Sequence, residues 1–99
     1  MMKTLNILGY QYEVRFAPSQ DMGGKAGRFM TLPPRILVAE DCARDQQIST
    51  MLHEIIEGLD YHLELKLEHN QISALEAGLF QVLTTNGVDL SPPLGGNAV

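Results

Sequence analysis

The stretch Thr50-Met51-Leu52-His53-Glu54-Ile55-Ile56-Glu57-Gly58-Leu59 concentrates the residues able to do chemistry in this chain of 99. On a helix, His53 and Glu57 stand one turn apart on one face and can hold a metal ion together, an imidazole nitrogen and a carboxylate oxygen both being good ligands for zinc. Glu54 falls where a general base would take a proton from a water activated there. The string differs by one residue from His-Glu-x-x-His, in which a second imidazole stands in place of Glu57. Exchanging imidazole for carboxylate adds negative charge and bears on which divalent metal is preferred, zinc or another. Such a site needs a third ligand.

Glu76 is the first candidate. It sits inside the apolar stripe of a second predicted helix, with Ile72 at i−4, Leu79 at i+3 and Phe80 at i+4. A carboxylate there either ionises against a partner or has its pKa raised. A metal held by His53 and Glu57 is such a partner, and two helices on a short link pack antiparallel, so Glu76 can face the motif. The alternative is that Glu76 reaches solvent and pairs with Lys66 or Arg35. His69, at the start of the second helix, competes for the third-ligand position. His62 is i+9 from His53, too far along one helix to share its metal unless the chain turns there.

The elements that must position these groups follow from periodicity. Thr4 to Leu8 and Tyr10 to Phe16 flank Gly9 as a hairpin, and Tyr10, Tyr12, Val14 and Phe16 alternate with Gln11, Glu13 and Arg15. That pattern suits a sheet with one covered and one wet face. Ala17 to Gly27 reads as a mobile loop; its glycines fit neither phosphate-cradle spacing. Arg28 to Leu32 and Arg35 to Ala39 are β-like, with Pro33-Pro34 marking a turn or the entrance to an edge strand. A helix begins near Asp41 or Asp45, either of which can cap it, and runs to about His62. Its apolar stripe is Ile48, Met51, Leu52, Ile55, Ile56 and Leu59, with His53, Glu57 and Asp60 opposite and Glu54 on a flank. Tyr61 to Lys66 is a short link with room for a brief extended segment. The second helix spans about His69 to Thr85, stops at Asn86-Gly87, and offers Ile72, Leu75, Leu79, Phe80, Val82 and Leu83 to the first. The fold class is therefore α+β: a small N-terminal antiparallel β-sheet followed by two packed helices, in one domain over 1–90 with a flexible tail over 91–99.

Composition bounds the rest. A hydrophobic fraction of 44% is that of a globular domain. The apolar runs are too short for a transmembrane helix, and no secretion signal is visible, so no membrane is expected. The single Cys42 cannot form an internal disulfide, which fits a cytoplasmic location. A net charge of −5 with scattered Lys and Arg argues against nucleic acid as partner.

From Gln46 to Leu59 (QQISTMLHEIIEGL), then Ile72 to Leu83 (ISALEAGLFQVL) and Asn86-Gly87, the chain is similar to small phage and prophage proteins. These are described as ImmA/IrrE-like or SprT-like metallopeptidase relatives, and the likeness spans about residues 35 to 90. The resemblance implies a minimal zincin-like fold and a zinc site, in a protein that acts in the cytoplasm of a bacterial host if phage-encoded. It implies His53 and Glu57 as metal ligands, Glu76 as the downstream glutamate ligand and Glu54 as catalytic base. Glu57 departs from the family's second histidine. Further charge on the metal weakens it as a Lewis acid, which bears on peptidase activity more than on fold. An oxyanion stabiliser, from Tyr61, Tyr10 or a histidine, would also be required. The strand Arg35 to Ala39 offers edge pairing to an extended peptide.

Three functions are compatible with these features. The first is a metal-binding, zincin-like peptidase acting on a peptide or protein substrate. The second is a catalytically silent protein on the same fold that engages a host protein. In the third, the motif is a coincidence on the solvated face of a helical hairpin.

Overall fold

The computed structural model describes residues 3–90. Four strands are followed by two helices: β1 (Lys3–Ile7), β2 (Tyr10–Ala17), β3 (Gly27–Thr31), β4 (Pro34–Ala39), α1 (Arg44–Leu63) and α2 (His69–Thr85). This is the α+β arrangement that the sequence predicts, a sheet and then two packed helices. The tail expected over 91–99 lies outside the described residues.

The sheet departs from expectation in its pairing. Its order is β1-β2-β4-β3. β1 with β2 and β3 with β4 are antiparallel, but β2 and β4 run parallel, in register from Glu13 opposite Arg35 to Ala17 opposite Ala39. After β2 the chain makes a 3-10 turn at Ser19–Met22, runs along the outside as β3 and returns as β4 between β2 and β3. The sheet is therefore mixed, and Arg35 to Ala39 is an interior strand. Pro33 occupies the β3–β4 turn and Pro34 opens β4, so neither proline interrupts the central ladder. The free edges belong to β1 and β3.

The alternation in β2 sorts the two faces at the middle of the strand, while Tyr10 and Phe16, expected on the covered face, are exposed towards its ends. Tyr12 and Val14 are buried with Ile7, Ile36, Val38 and Met51 in the main core. On the other face Glu13 receives Arg35 at 2.8 Å and Arg15 at 2.9 Å. α1 lies on the apolar face. Its buried apolar side chains Ile48, Met51, Leu52 and Ile56 come from the predicted stripe, and Ile55 and Leu59 pack partly against the same core. The approach is close at Gly58, where a Cβ would stand 3.1 Å from Phe29 Cε1 and 3.2 Å from Ile7 Cδ1 and those side chains would have to give slightly.

Both helix starts are chemically informative. Neither Asp41 nor Asp45 caps α1, whose N-cap is Ala43 without a side-chain hydrogen bond. Asp41 instead accepts from Ser19 N–H at 2.9 Å and Ser19 Oγ–H at 2.7 Å. The hydroxyl bond first, then the amide, holds its carboxyl below the usual carboxylate range. The Asp41 side chain thus fastens the 3-10 turn. α1 runs past His62 to Leu63, leaving Glu64 to Glu68 as a tight link with Glu64 and Lys66 in left-handed conformations. Asp60 closes that link by accepting the Leu67 amide at 2.9 Å. α2 begins in a reciprocal cap: Glu68 receives an amide of the first turn while Gln71 receives the Glu68 amide at 2.7 Å.

α2 packs on α1 through a narrower face than the stripe predicts. Ile72 is buried, and Phe80 and Leu83 pack partly against Ile48, Leu52 and Leu90. Leu75, Leu79 and Val82 are exposed. Glu76 lies on the inner line, between Ile72 and Phe80.

Candidate metal centre

α1 carries Ser49, His53 and Glu57 at four-residue spacing along one line, and α2 lays Glu76 across it. His53 is the hub. Its Nδ1 lies 2.8 Å from Glu76 Oε1 and its Nε2 lies 3.0 Å from Glu57 Oε2. The second oxygen of Glu76 accepts from Ser49 Oγ–H. The side chains of His53 and Glu76 are largely covered, and that of Glu57 is 35% exposed.

Glu54, on the flank of α1, is buried. It is 5% exposed, and its Oε1 has no hydrogen-bond partner among the described residues. The reason is β3, which passes against that side of α1 at Gly27. A Cβ there would meet Thr50 Cγ2 at 2.4 Å and Glu54 Oε2 at 3.1 Å. Burial above all, then the negative charge of Glu57 and a hydrogen bond with it, then the charge of Glu76, push the Glu54 carboxyl up to about 8; Lys25 works against them.

Ligand atoms of His53, Glu54 and Glu57 all lie within 4.8 Å of one another. Two clefts open on this group. One of about 470 Å³ is lined by His53, Glu54 and Glu57 together with Lys25, Arg28 and His69. The other, of about 210 Å³, reaches His53, Glu54 and Glu76 past Gln46 and Thr50.

Of the expected ligands, His53 and Glu57 come together on α1, and Glu76 meets His53 at the opposite ring nitrogen. His69 also comes close, its ring centre 5.8 Å from that of His53. His62 does not. Its Nε2 lies 2.5 Å from Tyr12 Oη and its ring stacks on Tyr10 at 4.0 Å. Tyr10 and Tyr61 line a separate cleft around it. Sequence reasoning passed over Ser49, although its position one turn before His53 was a usable signal. It also passed over Gly27, whose role depends on a strand crossing no local pattern reveals.

A divalent cation suits this arrangement. Three carboxylates surround one imidazole, and the most buried of them has an oxygen without a partner; a cation would relieve both the mutual repulsion and the unmet desolvation. Imidazole and carboxylate together are the donor set of zinc and its neighbours.

Comparisons with protein-family models, with curated proteins and with solved structures found no match for this chain. Among the described residues, no helix is long and apolar enough to cross a membrane.

Proposed function

We propose that this protein binds a divalent cation, zinc first, through His53 and Glu57, and that the site hydrolyses peptide bonds with Glu54 as general base. The observation that carries the reading is Glu54: a covered carboxylate with an open oxygen, beside an imidazole and a second carboxylate at metal-sharing distance. The motif itself, one residue short of His-Glu-x-x-His on the helix α1, points the same way. The bound metal would supply a polarised carbonyl and a more acidic water. Glu54 would take the water's proton and return it to the leaving amine. An extended substrate would pair with the free edge of β3, whose Arg28 and Phe29 border the larger cleft.

A second reading is favoured by the donor set itself. With Glu57 in place of an imidazole the metal is more fully neutralised, and a silent binding protein that uses the β3 edge to engage a host protein fits that chemistry.

The test is metal analysis of the native protein followed by digestion of an unstructured substrate. Stoichiometric zinc with proteolysis lost in Glu54→Gln supports the peptidase. Stoichiometric zinc without proteolysis supports the silent protein, and absence of metal rejects both.

A further inference from the structure

The geometry points to a division of labour that differs from the expected ligand set: we propose that Glu76 is a positioning residue, holding His53 by Nδ1 so that His53 Nε2, Glu57 and His69 together face the cation. This assignment rests on the metal-binding reading above.

An imidazole offers a metal one nitrogen at a time, and the two sides of His53 are not equivalent. Glu57 lies on the Nε2 side at 3.0 Å, and its ligand oxygen groups with those of His53 and Glu54. Glu76 lies on the Nδ1 side at 2.8 Å. Both Glu76 oxygens are engaged by α1, one with His53 and the other with Ser49. A carboxylate on the far nitrogen of a metal-binding histidine fixes its tautomer, turns the ring and makes the near nitrogen a better donor. Ser49 supports Glu76 in the same way, so the line runs Ser49, Glu76, His53.

That leaves a ligand to be supplied on the Nε2 side. His69 lines the same cleft as His53, Glu54 and Glu57, whereas Glu76 does not border it. The two imidazole rings are 5.8 Å apart at 60° to each other. Two imidazoles on one tetrahedral zinc, each with a Zn–N bond of about 2.0–2.1 Å, have ring centres roughly 5 Å apart. His69 stands outside the group formed by the ligand atoms of His53, Glu54 and Glu57, so ligation requires its side chain to turn at the first turn of α2 and bring a nitrogen to the cation. The capping box that starts α2 holds His69 there, and the tight Glu64 to Glu68 link brings that turn back beside α1.

The experiment is nitrogen-15 NMR of the three histidine rings, with and without one equivalent of zinc, on the full chain. The expected result is a zinc-induced shift at Nε2 of His53 with a retained proton on Nδ1, and a zinc-induced shift at one nitrogen of His69. His62, held by Tyr12, serves as the unshifted internal control. Zinc affinity of variants provides a second measurement. Glu76→Gln keeps an acceptor for the Nδ1 proton and should lose at most about 10-fold, while Glu76→Leu loses about 10–100-fold, as outer-shell partners do. His69→Gln should abolish the second imidazole shift and weaken zinc by more than Glu76→Gln does. Zinc bound at His53 Nδ1, an unshifted His69, or equal losses for Gln and Leu at position 76 overturns this assignment while leaving metal binding intact. A wild-type protein that takes up no zinc overturns the metal reading as well.

Discussion

A side-chain carbon at Gly27 would stand 3.1 Å from Glu54 Oε2, and 2.4 Å from the methyl of Thr50 beside it. β3 can lie this close to α1 only without a Cβ, and this closeness removes Glu54 from water. Gly27→Ala should destabilise the fold by about 1–3 kcal/mol, as overpacking does. Urea denaturation measures it, and an unchanged midpoint would mean that α1 and β3 have room to separate.

Glu54 makes the metal-free protein sensitive to pH. Its folded pKa of about 8 lies above the ordinary carboxylate value of 4.5, so folding favours the protonated form. The associated stability is fully present below about 4.5 and is lost as pH rises through about 8. In chelator, the wild-type melting temperature should fall across that window relative to Glu54→Gln, which has no charge to desolvate. Parallel profiles for the two proteins would show that the carboxyl is solvated.

The helix pair separates core from surface more sharply than spacing suggests. Met51, fully buried in the main core, should cost about 2–5 kcal/mol as Met51→Ala. Leu79, 40% exposed, should cost under about 1 kcal/mol as Leu79→Ala. Comparable losses in thermal unfolding would show that α2 packs through its Leu75–Leu79 side instead.

Tyr12 buries its ring, at 1% exposure, while its hydroxyl meets His62. Tyr12→Phe retains the packing and removes the bond, for a loss of about 0.5–1.5 kcal/mol. The same change in a His62→Ala background should cost less, and an equal cost in both backgrounds would dissociate the hydroxyl from His62.

What could be read in the sequence depended on how local each signal was. The bounds of α2 matched because Glu68 and Gln71 close its start and Asn86-Gly87 ends it. The stripe of α1 matched because helical spacing alone sorts Ile48, Met51, Leu52 and Ile56 to one side. Asp41 misled because its oxygens have a better-placed partner in Ser19, more than twenty residues away in sequence. The parallel pairing of β2 with β4 was invisible, since it depends on β3 passing outside before the chain returns. For the same reason Pro33-Pro34 suggested an edge where β4 is interior. The closeness of Glu76 to His53 followed from an acid lying in an apolar stripe; which ring nitrogen it meets depends on rotamers and on Ser49, beyond the reach of spacing.

The narrow contact between α2 and α1 ties the lifetime of the centre to the least anchored helix. α2 buries Ile72 and leans on Phe80 and Leu83, and the line from Ser49 through Glu76 to His53 is its polar fastening. A local opening that lifts α2 would withdraw Glu76 and His69 from His53 at once, while the core between the sheet and α1 stays closed. Closure of these contacts on His53 and docking of α2 are then one event, and amide hydrogen exchange along His69–Thr85 is a clock for both.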